Sequence, residues 1–224
     1  MPDESKAGLT GVDRRDTFIK TKTRLVAVPA VPTIQLFTAD EATELWEQTE
    51  AEMGRIGLPP PFWAFPWAGG QALAAYLTQH PEVVRGRSVL DVASGSGLVA
   101  IAAARAGAFR VWANDIDLFA QAAARLNAVA NGVGVELLPG DRVGTDDGWD
   151  VVLAGDVSYE RDMATHLLDW LEALHRRGAL VLLGDPGRSY LPRDRLIEIA
   201  SYEVPVTRAL EDADVKRSAV LRFR

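Results

Sequence analysis

The segment Val89–Asp117, VLDVASGSGLVAIAAARAGAFRVWANDID, constrains the fold of this chain more than any other. An apolar run closes on Asp91 and Val92, and a turn holding Gly95 and Gly97 follows. An alanine-rich stretch then leads to a second apolar run that ends in Asn114-Asp115. Strand, glycine turn, helix, strand and acid, in that order, build two parallel strands with a crevice at their carboxyl ends. Open α/β sheets bind nucleosides at that place.

The rest of the chain repeats the alternation. Apolar runs predict strands at 88–92, 109–114, 133–138, 150–154 and 179–183, with helices at 97–106, 118–131 and 161–176 between them. Such alternation signals a parallel sheet covered by helices on both faces. A helix over about Pro192–Ala200 is expected next, then two strands near 202–208 and 216–223. Only a short polar segment links those strands, so they should form an antiparallel hairpin, with Pro205 on an edge where its missing N–H costs nothing.

Ahead of the sheet, residues 1–20 are polar and read as loose. Residues 23–37 read as short edge strands broken by Pro29 and Pro32. Thr38, with Glu41 three residues on, reads as the N-cap of a helix running to about Met53. A Pro- and Trp-rich connection follows, then a helix from Gly70 to Thr78.

Composition narrows the chemistry. The 224 residues contain no cysteine, which removes disulfides, thiol catalysis and cysteine-bound metal centres and suits a reducing compartment. A formal net charge of −7 argues against a nucleic-acid partner, which needs a basic face. No apolar run is long enough to cross a membrane, and the N-terminal residues carry no secretory or organelle signal, so the expectation is a cytoplasmic protein of bacterial type. The three histidines, His80, His166 and His175, are scattered and pair at no ligand spacing; no metal site is expected.

Gly95-Ser96-Gly97-Leu98-Val99-Ala100 matches G-x-G-x-x-A, and Asp115 lies twenty residues past Gly95, suited to ribose hydroxyls. That pattern fits dinucleotides and S-adenosylmethionine alike. Asp91, four residues before Gly95, separates them: a carboxylate there would repel a pyrophosphate and suits a ligand bearing an ammonium and a sulfonium. Asp141, after the third strand in Pro139-Gly140-Asp141, is placed to accept from an adenine amino group. Trp63 and Trp67 precede the sheet, and either indole could cover an adenine or a sulfonium or simply anchor the loop; Trp67 is the better candidate for cofactor. The fourth strand ends in Gly155-Asp156-Val157-Ser158-Tyr159, across the switch point from the first, so Asp156 should face the ligand. Asp185 is a further candidate carboxylate, and the loop Arg188–Arg193 reads as solvated.

These motifs carry a resemblance. Asp91–Gly97, Asn114-Asp115 and Asp156-x-x-Tyr159 resemble the family 16 seven-β-strand protein lysine methyltransferases. Phe62–Leu73 and Gly184-Asp185-Pro186-Gly187-Arg188 resemble, within them, the branch acting on the electron transfer flavoprotein β-subunit. Glu160-Arg161 departs from the pattern, which has two acids after the Tyr. The resemblance implies a Rossmann-like, seven-stranded class I S-adenosylmethionine-dependent methyltransferase sheet with a terminal antiparallel hairpin. The methyltransferase domain would span 59–224, behind an N-terminal extension over 1–58. It implies methyl transfer from S-adenosyl-L-methionine, leaving S-adenosyl-L-homocysteine, to lysine side chains of that flavoprotein subunit; ribosomal proteins stay open as further acceptors. Trp67, Gly95, Gly97, Asp115 and Gly155 would contact cofactor, and Asp156 with Tyr159 would handle the lysine. Three rivals stay open: a small-molecule N-methyltransferase acting on a pyridine-like amine, a dinucleotide-dependent oxidoreductase and a module that binds the donor without catalysis.

Overall fold

The computed structural model describes residues 11–40, 44, 45, 47, 49 and 60–224. Helix α1 (Gly11–Lys22) comes first, then a hairpin of β1 (Arg24–Val28) and β2 (Val31–Thr38). Helix α2 (Ala68–Gln79) leads into β3 (Ser88–Val92), α3 (Leu98–Arg105), β4 (Arg110–Asp115), α4 (Leu118–Ala130) and β5 (Glu136–Pro139). The second half runs β6 (Val151–Gly155), α5 (Arg161–Arg177), β7 (Leu180–Asp185), β8 (Leu196–Pro205), the single turn α6 (Arg208–Glu211) and β9 (Val215–Phe223).

The main sheet has seven strands in the order β5-β4-β3-β6-β7-β9-β8. β3 pairs in parallel with both β4 and β6, while β9 runs antiparallel between β7 and β8. The chain winds outward from β3 through β4 to β5, then returns to the other side of β3 as β6. The switch point therefore lies between the carboxyl ends of β3, β4 and β6, where such sheets place ligands.

Strand residues alternate between two cores. Val89, Val111, Ala113, Val151, Leu153 and Leu182 face the layer of α2, α3 and α4. Leu90, Val92, Val152, Ala154, Val181 and Leu183 face α5, whose Leu167, Leu168, Leu171 and Leu174 repeat at helical spacing. Helix α3 is nearly all alanine and aliphatic and is buried along Leu98–Ala103, so it lies close against its neighbours. Val28, Val31, Ile34 and Leu36 of the β1–β2 hairpin enter the same core. Asn127 on α4 and its C-cap Asn131 accept from the hairpin's backbone N–H groups at Phe37 (2.8 Å) and Gln35 (3.0 Å).

Three sequence expectations change. The helix at 192–200 is absent: from Leu196 to Pro205 the chain is β8, paired with β9 along its length. LIEI reads equally as helix or strand, and the unpaired edge of β9 decides it. Pro205 ends this edge strand. Residues 11–22 are helical rather than loose, because Phe18 and Ile19 bury against α4, with Phe18 edge-on to Phe119 at 5.5 Å and Asp16 paired with Arg125. Residues 23–37 form a separate two-stranded sheet rather than edges of the main one. The Thr38 cap and the bounds of its helix lie outside the described residues apart from Thr38 itself; 44, 45, 47 and 49 are helical.

Candidate active site

The turn after β3 is built from alternating left-handed residues: Ala93 (φ 51°), Gly95 (φ 50°) and Gly97 (φ 77°). At Gly97 glycine is required twice over, since a Cβ would also stand 2.9 Å from that of Ala124 on α4. The turn is tied to β4, with Ser94 N–H donating to the Asn114 carbonyl (2.9 Å) and Gly95 N–H to Asp115 Oδ2 (2.9 Å). Asp115 Oδ1 accepts from Asp117 N–H at 2.9 Å. Burial raises the Asp115 carboxyl above its ordinary value, opposed by these N–H donors. The hydroxyl of Ser94 is buried and has no hydrogen-bond partner among the described residues.

Asp91 lies behind this turn, 1% exposed, with Oδ2 accepting from Ala100 N–H in the first turn of α3 at 2.9 Å. Burial pushes its carboxyl up to about 8, the Ala100 N–H pulling the other way. Asp141 lies two residues past Pro139, which pairs with Asp115. It is exposed after β5, and its Oδ1 closes its own loop by accepting from Val143 N–H (2.9 Å). The loop's start is held by buried Asn114, whose Nδ2 donates to the carbonyls of Leu138 (2.6 Å) and Gly140 (2.8 Å). Ile116, beside Asp115, is 75% exposed, an apolar side chain at the lip of the crevice that sequence reasoning missed.

Across the switch point, Asp156 is buried in a left-handed conformation (φ 57°) directly after β6. Asp tolerates that region better than most residues, and such strain concentrates at functional sites. Its carboxylate is not free. Oδ1 accepts from Arg188 Nη2 (2.6 Å) and Nε (3.0 Å), and Oδ2 accepts from Gly70 N–H (2.9 Å). Helix α2 starts at Trp67 with no side-chain cap and no acid in its first turn. Asp156 thus caps α2 from another element and meets the positive end of its dipole. Burial pushes Asp156 up to about 6, against the pull of Arg188 and Gly70 N–H.

Arg188 corrects the expectation of a solvated loop. Its side chain is 18% exposed, Nη2 also reaches Glu211 Oε1 (3.1 Å), and Glu211 Oε2 takes Lys216 Nζ at 2.7 Å. Asp185 shapes the loop that carries it, accepting from Ser158 Oγ, Gly187 N–H (2.6 Å) and Arg188 N–H (2.7 Å). It is spent on that loop rather than open to a substrate. Among the described residues no cluster of His, Asp and Glu is arranged to hold a metal ion, and no helix is long and apolar enough to cross a membrane.

Aromatic rings wall this side. Tyr159 is 47% exposed and meets Phe62 edge-on at 5.5 Å. Partial burial and the charges of Asp115 and Glu160 raise its hydroxyl above its ordinary value, so it remains a neutral donor. Trp67 meets Phe62 at 5.7 Å, donates from Nε1 to the Phe62 carbonyl (2.8 Å) and carries the Arg188 guanidinium 5.7 Å over its ring. Trp63 is in the core, stacked on Phe119 at 5.9 Å. Gly155, the last residue of β6, has no room for a side chain: a Cβ would lie 3.0 Å from the Gly70 backbone. Glu160, the departure from the expected motif, caps α5 by accepting from Asp162 and Met163 N–H (3.0 Å each).

The structure gathers Gly95, Gly97 and Asp115 at one lip, with Asp91 buried behind it, and Trp67, Gly155, Asp156 and Tyr159 at the other. Asp141 follows Pro139, the β5 partner of Asp115, at the same end of the sheet.

Residues 71–160 match the family model described as ribosomal protein L11 methyltransferase. The chain is similar to the electron transfer flavoprotein beta subunit lysine methyltransferase of Danio rerio, 40% identical over 74% of this chain and 67% of that one. It is 38% identical to the Xenopus laevis protein of the same name over 92% of this chain and 86% of that one. Among solved structures it resembles magnesium protoporphyrin IX methyltransferase from Synechocystis PCC 6803 with bound SAM. There the TM-score is 0.51 at 19% identity over 68% of this chain and 76% of that one, a likeness of fold.

Proposed function

The chain belongs to the electron transfer flavoprotein β-subunit lysine methyltransferase family, and on that premise we propose that it moves methyl groups from S-adenosylmethionine to lysine side chains of that flavoprotein subunit. The observation that carries the acceptor assignment is identity of 38% along 92% of the chain, which includes the acceptor side as well as the donor crevice. The match to the family model described as ribosomal protein L11 methyltransferase ends at residue 160, before Arg188 and the closing hairpin. It therefore supports the methyl donor more than a ribosomal acceptor. A formal charge of −7 fits a lysine-bearing protein better than a nucleic acid, and the absence of cysteine suits a cytoplasmic setting.

The residues at the glycine turn fit the donor. The unpartnered Ser94 hydroxyl wants a polar ligand, and at Gly95 a Cβ position meets only the Trp63 backbone, at 3.9 Å. Asp115 would take the ribose hydroxyls, Ile116 would cover the adenine, and Trp67 would border the reacting end. S-adenosylmethionine supplies an electrophilic sulfonium methyl there, which a neutral amine takes up.

The chain's own residues must deliver that amine. Lysine near pKa 10.4 must lose a proton, which costs roughly 4 kcal/mol at neutral pH. Asp156 already accepts from Arg188 and Gly70 N–H, and although burial raises it, it stays a far weaker base than a lysine amine, so it acts by accepting a hydrogen bond from the amine and aiming it. Tyr159 and Trp67 flank the lysine stem and exclude water, and the proton leaves to solvent before transfer.

Asp156→Asn tests this reading. With labelled donor and a bacterial lysate, lysine labelling should fall by about 100-fold or more while donor affinity and the far-ultraviolet spectrum stay as in the native chain. Undiminished labelling of lysine by the variant contradicts it.

A further inference from the structure

Asp156 presents a difficulty for any enzyme that must deprotonate an amine. A bare carboxylate beside the acceptor nitrogen would hold it as an ammonium, the form that cannot accept a methyl group. The structure supplies a cation against it. Two donors of Arg188 lie on Oδ1 of Asp156 and one backbone N–H lies on Oδ2. A carboxylate offers about four lone-pair directions, so these three leave one open, on Oδ2.

Resting on the lysine-transfer reading, we propose that Arg188 is a positioning residue for the acceptor amine: it fixes Oδ1 of Asp156 and cancels the carboxylate's charge, so that the amine is held by a hydrogen bond without being locked as an ammonium. The surroundings are balanced in the same way. Asp156, Arg188, Glu211 and Lys216 alternate in sign from the end of β6 through the β7 loop and α6 to β9. Asp185, the other acid near Asp156, is occupied by Ser158 and two backbone N–H groups. Glu211, 3% exposed and held by Lys216, keeps Arg188 from swinging into solvent. Trp67 stands 5.7 Å from the guanidinium and limits its approach from the aromatic side. The C-terminal hairpin, which lies outside the donor crevice, thereby reaches the acceptor site through one arginine.

Arg188→Met and Arg188→Lys in the full chain test the proposal with two readouts. The first is the carbon-13 titration of the Asp156 carboxyl, with neither donor nor acceptor present. It should move upward from its native midpoint by about one unit or more in Arg188→Met and stay near it in Arg188→Lys, which keeps a cation. The second is kcat for lysine methylation against pH. In Arg188→Met the rise with pH should move to higher pH, and kcat at neutral pH should fall by about 100-fold with donor affinity unchanged. In Arg188→Lys the pH of the rise should hold while kcat falls by about tenfold, because one point donor replaces a two-pronged one. If Arg188→Met fails to fold, the lysine variant decides: native kcat in it overturns the proposal. So does an unmoved Asp156 titration in a folded Arg188→Met. Should the native chain label no lysine, the functional reading fails by itself, and the titration still decides whether Arg188 governs Asp156.

Discussion

Asp91 and Asp156 are both buried carboxyl groups, yet their partners give them different chemistry. Asp156 has a guanidinium and a helix N–H; Asp91 has one backbone N–H and no cation. The burial that pushes Asp91 up to about 8 makes the folded chain bind a proton that the unfolded chain releases above about 4. Its stabilising contribution is therefore complete below the unfolded value and is lost as pH rises toward 8. Asp91→Asn keeps the acceptor for Ala100 N–H and removes the titration. Between pH 5 and pH 8 the melting temperature of the native chain should fall by roughly 5 °C more than that of Asp91→Asn. Equal pH dependence in a thermal melt rules this account of Asp91 out. The plain apolar runs placed Asp91, Asp115 and Asp156 at or next to the carboxyl ends of β3, β4 and β6. Arg188 escaped, because its partner lies thirty-two residues away and an arginine after Gly187 in a polar loop looks solvated. The resemblance over Gly184–Arg188 was the signal that could have found it. Asp141 was placed by sequence order after β5, and its turn spends one oxygen on Val143 N–H and leaves the other free.

At the scale of elements, the site depends on how closely α2 approaches the sheet. A Cβ on Gly69 would meet the Gly184 carbonyl oxygen at 2.1 Å and Asp156 Oδ2 at 2.6 Å, and Gly155 and Gly70 touch in the same layer. These glycines bring the uncapped N–H groups of α2 onto Asp156. Gly69→Ala would have to displace backbone rather than a side chain, so it should destabilise the fold by about 3 kcal/mol or more, measured by urea unfolding. A loss under about 0.5 kcal/mol would show that α2 can shift freely. The Gly-Gly pair in WAGGQ was visible in the sequence as the start of a helix, but the surface it presses against belongs to strands far along the chain. The same non-locality explains α1 and β8. Phe18 and Ile19 sit in a polar helix with too few apolar residues for a periodic signal, and LIEI takes its form from β9.

For the whole molecule, the order of strands divides the work. On the proposed reading the donor lip would come from the first half of the main sheet, β3 and β4 with their turns, and the acceptor lip from β6, β7 and the closing hairpin, joined to the first half through α2. The sheet, its switch point and its terminal hairpin were legible because alternation and glycine turns are local signals. The charge chain from Asp156 to Lys216 was not, since it depends on four segments meeting. All of this serves transfer of methyl groups to lysine of the flavoprotein β-subunit. The most direct measurement is peptide mass spectrometry of the purified subunit after incubation with the chain and S-adenosylmethionine. The account requires added methyl groups on lysine side chains, absent when the donor is omitted and reduced by about 100-fold with Asp156→Asn. A fully unmethylated subunit, or methyl groups found only on residues other than lysine, would contradict it.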